Sequence, residues 1–144
     1  MIELQKLPAH IRALKSEDWA KLFDLLTEFK SVKQFGELRG MDTLPEGQIS
    51  FPYYVHAAVV DGFLDVAREL DIVPNFDWPA WKEGKELLND KMQDYEEVDE
   101  VTLCKLFTVI IRSDRFNEGY LIGSFNDGTV QKIIGALKSK VFRE

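Results

Sequence analysis

Residues 103–111 form an almost unbroken apolar run, Leu103 to Ile111, and lead straight into Arg112-Ser113-Asp114-Arg115-Phe116-Asn117-Glu118-Gly119. Another apolar pattern follows. Four charged side chains, Arg112, Asp114, Arg115 and Glu118, therefore stand at a junction between two segments whose composition asks for burial. A buried charge without a partner costs on the order of several kcal/mol. A chain built this way must either tie these charges together across two helices or turn them toward a site.

Helical spacing recurs on both sides of the junction. Ser16, Glu17 and Asp18 suit a helix start, and Trp19, Leu22, Phe23, Leu26 and Phe29 follow at three- and four-residue intervals, which predicts a helix over 16–30. Gly36, Gly40, Pro45 and Gly47 punctuate 31–51, which reads as a loop. Pro52 is suited to open a helix. Val55 to Leu70 then keeps helical spacing, with Gly62 on the apolar face as a point of close helix crossing. Asp77 as a cap and Pro79 in the first turn predict a further helix, continuing to about Leu88 or Met92. Asp94 to Glu100 holds five acidic residues in seven, as expected of a solvated loop or a helix's first turn.

Residues 101–113 read as a helix that is apolar nearly all round, with Lys105, Thr108 and Arg112 as a polar stripe. A short helix over 117–126, a turn at Asn126-Asp127-Gly128 and a last helix through Val130, Ile133, Ile134, Leu137 and Val141 complete the pattern. The expected fold is all-α: one domain over 1–144, an irregular orthogonal bundle of five or six helices around the central 101–113 helix, with no convincing hairpin.

Composition narrows the function classes. The 144 residues carry a net charge of −7, so phosphate backbones and anionic membranes are disfavoured partners, although a local basic patch is still compatible with such an average. The single cysteine, Cys104, excludes an internal disulfide and lies inside the apolar run, where it reads as a small buried hydrophobe. No signal-peptide pattern or membrane-length apolar run appears, and the expected location is cytoplasmic.

No GxGxxG, GxxxxGK[ST], GxSxG or CxxC occurs, which removes the common catalytic signatures without excluding an enzyme. His10 and His56 lack the partners of a metal site, and no metal or cofactor is expected. Two constellations remain. Arg112, Asp114, Arg115 and Glu118 form either a polar clamp between helices, with Arg115 and Glu118 close enough in sequence to pair, or a small-ligand site. In the second case the arginines hold an anion and a carboxylate acts as acid or base. Trp78 and Trp81, with Tyr53, Tyr54 and His56, form either core packing or an interaction surface.

The stretch Thr108-x-x-x-Arg112-x-Asp114-Arg115-Phe116-x-Glu118-Gly119 resembles the signature of a bacterial family of uncharacterised proteins, a domain of unknown function. Phe76-Asp77-Trp78-x-x-Trp81 and Gly128 with its following helix are similar too. The resemblance spans about residues 50–142 and leaves the 16–30 helix outside. It implies a small helical bacterial domain and brings no reaction or ligand with it. The leading expectation is a non-catalytic binding or interaction module, with a homodimer or an unknown protein as partner. An anion-binding protein or unassigned enzyme built on the charged run is the alternative.

Overall fold

The central element is a helix, α6 (Glu100–Ser113), whose Leu103, Cys104, Leu106, Phe107, Thr108, Val109 and Ile110 are all buried. In the computed structural model, which describes residues 1–40 and 52–142, other helices wrap this rod. In chain order they are α1 (Leu7–Ala13), α2 (Ser16–Phe23), α3 (Leu25–Lys30), α4 (Ala58–Leu70), α5 (Lys82–Asn89), α7 (Tyr120–Asn126) and α8 (Thr129–Val141). The helical class follows from the 3.6-residue spacing. An apolar stripe at that period can be buried only if the segment is helical and another element covers it. α1, α5, α7 and α8 all pack on α6, while α2 lies against α4 and α8.

Phe125 of α7 is the hub of the aromatic core. Its ring centre lies 5.1 Å from that of Phe29, 5.2 Å from Phe35 and 5.5 Å from Phe63, which in turn meets Phe107 of α6 at 5.4 Å. Most of these pairs are edge-to-face, the arrangement that the ring quadrupole favours. They join α3, α4, α6 and α7 through one cluster.

Helix ends follow local chemistry. Asp18 accepts the Lys15 backbone N–H at 3.0 Å and so starts α2. Asp99 starts α6, accepting the Thr102 N–H at 3.1 Å and the Thr102 hydroxyl at 2.6 Å. The acidic run 94–100 is therefore a short 3-10 turn, Tyr95–Glu97, followed by this cap, with Tyr95 buried beneath it.

Several boundaries differ from the periodicity reading. The 16–30 helix breaks at Asp24 into α2 and α3, which lets Leu25 as well as Phe29 reach the core. Pro52 does not open a helix. Residues Tyr53–His56 are a strand, β2, paired antiparallel with β1 (Gly36–Arg39) in the register Gly36↔His56, Leu38↔Tyr54. The helix begins only at Ala58. The remainder of the 31–51 loop, with Pro45 and Gly47, lies outside the described residues.

The 76–92 helix is likewise a 3-10 turn, Trp78–Ala80, and then the separate α5. Asp77 makes no side-chain cap there. Gly62 serves no close crossing, since a Cβ there would meet nothing within 4 Å. A close approach does occur at Gly36 on β1, where a Cβ would fall 2.3 Å from Cδ1 of Ile122 and 2.9 Å from Val55 O, so a side chain there would force Ile122 or the ribbon to shift.

Candidate functional site

Where α6 ends, the Arg112–Gly119 run folds into a tight corner. The Arg115 N–H bonds back to Arg112 O, and the Phe116 and Asn117 N–H groups to Ser113 O. The corner divides its charges. Its carboxylates turn toward the ribbon, and its arginines turn the other way.

Asp114 Oδ1 accepts N–H groups from Gly119 and Leu121, both at 3.1 Å, and so satisfies the exposed donors at the start of α7. Its other oxygen faces His56 Nε2 at 3.8 Å, and His56 Nδ1 faces Asp61 at 3.5 Å. Glu118 Oε1 accepts the Tyr54 backbone N–H at 2.8 Å, filling a donor on the outer edge of β2. Gly119 has φ +91°, and a Cβ there would lie 2.8 Å from the Tyr54 ring. Asp114, Glu118 and Gly119 together dock β2 onto the α6–α7 corner.

Arg112 and Arg115 line the opposite side, a groove of about 620 Å³ between the C-terminal ends of α4 and α6. Met1, Leu64, Ala67, Val73 and Ile111 form its apolar wall, and Arg68, Glu69 and Asp71 its remaining charged lining. Asp71 has φ 53°, the one non-glycine residue with positive φ among the described residues. It ends α4 in the left-handed conformation that Asp tolerates better than most side chains. Its carboxylate accepts the Ile2 N–H at 3.0 Å, and the Asn75 N–H bonds to Ile2 O at 2.8 Å, which pins the N-terminal segment along the groove.

Neither Arg112 nor Arg115 makes an ion pair among the described residues, and the Arg115–Glu118 pair does not form. Arg112 is half-buried and donates to the Met1 thioether, a weak acceptor for one of five N–H donors. Arg115 is exposed. The clamp reading of the sequence has the arginines tie two helices together; here Asp114 and Glu118 make the contacts, and they hold α7 and the strand β2. The arginines are left over.

The aromatic candidates fall on either side of the same corner. Tyr53 and Tyr54 lie on β2, at 49% and 40% exposure. Trp78 and Trp81 are half-buried against the core. Trp81 meets Phe76 edge-on at 5.6 Å, and Lys105 Nζ sits 4.1 Å from the centre of its ring. Trp78 meets Phe116 at 6.2 Å, and Phe116 is 82% exposed. The polar stripe of α6 is thus put to separate uses. Lys105 covers Trp81, Thr108 donates to Pro74 O at 2.7 Å in the interior, and Arg112 faces the groove. Burial drives the Cys104 thiol far above its ordinary pKa, so it stays protonated and unreactive.

A family model described as a family of unknown function (DUF6508) matches residues 14–142. The chain belongs to this family. The DUF6508 match takes in α2 and α3 as well as the 50–142 stretch that carries the charged corner, and so covers every helix from α2 to α8. Comparison with curated proteins and with solved structures gave no match. Among the described residues no helix is long and apolar enough to cross a membrane.

The groove residues Leu64, Ala67, Arg68, Glu69, Asp71 and Val73 were not singled out from the sequence. Arg68 and Glu69 sit on an ordinary exposed helical face, and nothing local to them points to α6. Asp71 had one local signal, as an acidic residue ending a helix just before Ile72-Val73-Pro74.

Proposed function

We propose that this DUF6508 protein is a non-catalytic binding module whose ligand site is the groove headed by Arg112 and Arg115, and that the ligand carries an anionic group. One observation carries the reading: two arginines, neither with a carboxylate partner among the described residues, line a groove with an apolar wall. Its volume is within the range of about 300–1,000 Å³ typical of small-molecule sites. Guanidinium forks suit carboxylate and phosphate oxygens. An overall charge of −7 leaves this patch as a local exception. A catalytic role for Asp114 or Glu118 draws no support from this geometry, since both face the ribbon instead of the groove, with one oxygen of each accepting backbone N–H groups and the other oxygen of Asp114 turned to His56. The single, inert Cys104 is in keeping with a cytoplasmic setting.

The test is a thermal melt of the parent and of Arg112→Ala/Arg115→Ala against a panel of small carboxylates, phosphate and nucleotides. The expected result is a ligand-induced rise in Tm in the parent that the double variant lacks. A rise of equal size in both proteins, or none in either, overturns the reading.

A second reading has its own observation. Phe116, Tyr53 and Tyr54 are exposed aromatics arranged around one corner, as at interaction surfaces, where such residues are enriched. That surface would serve a protein partner or a second copy of the chain. Sedimentation of the parent and of Phe116→Ser at rising concentration checks the homodimer. A parent that stays monomeric removes it.

A further inference from the structure

We propose that the occupant of the groove is an apolar α-amino acid in its zwitterionic form, held at both charges and along its side chain. This inference rests on the anion-site reading and narrows it.

The charge pattern of the lining is the first argument. A site for a polyanion would be cationic throughout, whereas here Glu69 and Asp71 stand in the same wall as the arginines. Two carboxylates repel a triphosphate or a nucleic-acid backbone. They suit a ligand that brings a cation with its anion. Neither carboxylate is used up by its protein contact. Glu69 Oε1 bonds to Lys21 at 2.6 Å and Asp71 Oδ1 to the Ile2 N–H, and each carboxylate has further lone pairs to offer.

The backbone supplies the second argument. The groove is bounded by the C-terminal ends of α4 and α6, where carbonyl groups and helix dipoles favour a positive charge. An ammonium placed there, beside Asp71, meets the negative end of α4. A carboxylate placed against Arg112 and Arg115 meets two guanidinium groups that make no ion pair among the described residues, with only the weak Met1 thioether to displace from Arg112. Apart from Arg68, which pairs with Asp65 on its own helix at 3.6 Å, the remaining lining is apolar. Leu64, Val73 and Ile111 present branched aliphatic groups, which fit an aliphatic or aromatic residue.

The left-handed conformation of Asp71 fits this assignment. It turns the chain so that the residue's side chain sits between the end of α4 and the N-terminal segment instead of in bulk solvent, and Asp71 is only partly exposed.

The test is titration calorimetry of the full chain with L-leucine, N-acetyl-L-leucine, L-leucinamide and inorganic phosphate. L-leucine is expected to bind, with each capped analogue weaker by roughly tenfold or more, the loss expected for one charge-assisted contact. Asp71→Asn keeps an oxygen for the Ile2 N–H, so it is a mild variant. It should weaken L-leucine by a similar factor and leave N-acetyl-L-leucine unchanged. N-acetyl-L-leucine binding as well as or better than L-leucine overturns the zwitterion and points instead to a carboxylate end such as a peptide terminus, with the anion-site reading intact. Binding of phosphate alone overturns the amino-acid assignment and also leaves the anion site standing. Binding of none of the four, with no response to other anions in the melt, overturns both.

Discussion

Glu118 Oε1 accepts the backbone N–H of Tyr54 at 2.8 Å, a carboxylate from the α6–α7 corner holding the free edge of a strand 64 residues earlier in the chain. The bond is exposed, so water competes for it. Glu118→Ala should cost about 1 kcal/mol in a chemical denaturation series, near the centre of the range for one net hydrogen bond. Glu118→Gln keeps an acceptor oxygen and should lose less than half of that. Equal losses in the two variants would mean that charge, not the acceptor, holds the strand.

Gly119 should resist replacement for two separable reasons. Its φ of +91° strains any L side chain, and its Cβ position is already filled by the Tyr54 ring at 2.8 Å. Gly119→Ala should destabilise by about 1–3 kcal/mol, the cost range for such backbone strain, with the clash adding to it. In the Tyr54→Ala background the clash disappears and the strain stays, so the penalty should shrink without vanishing. An unchanged penalty would place the whole effect in the backbone.

The arginine and aspartate of the corner should behave oppositely. Arg115 is exposed and without an ion pair among the described residues. Arg115→Ala should therefore stay within about 0.5 kcal/mol of the parent, as most unpartnered surface changes do. Asp114 accepts two N–H groups at the start of α7, and Asp114→Ala should cost about 1–2 kcal/mol through loss of that cap. Denaturation midpoints of the two variants, measured side by side, check the pair. A loss of several kcal/mol for Arg115→Ala would restore the arginine as a clamp.

Asp99 should give a signature in acid. Its burial by itself raises the pKa, but the Thr102 hydroxyl and backbone N–H bonds outweigh that, and the carboxyl sits below the usual aspartate range. A pKa depressed in the folded state stabilises the protein fully above the unfolded value, about 3.9, and that contribution is lost as pH falls through the lower folded value. Asp99→Ala should therefore melt below the parent at neutral pH, by about 1 kcal/mol. The gap should be flat from pH 7 to 5 and narrow below pH 4. A gap that widens in acid would reverse the sign assigned to this cap.

The sequence by itself determined the helical class, the central place of residues 101–113 and the α8 stripe. Each is a periodicity that only one backbone geometry can bury. It also marked the Arg112–Gly119 run as the place where charge and burial meet. The break at Asp24 and the 3-10 turn at Trp78 were not legible, because short-range spacing is the same on both sides of such a break and packing against α4, α6 and α8 decides where it falls. The ribbon was not legible either. Gly36 and Tyr54 find their use only against Ile122 and Gly119, contacts made across the fold. The division of the charged run was a tertiary decision too. In sequence, Arg112, Asp114, Arg115 and Glu118 are one cluster. In space, the turn after α6 sends the carboxylates to backbone N–H groups that the rest of the chain leaves open on one side. On the other side it leaves the arginines beside the end of α4, where no carboxylate among the described residues pairs with either of them.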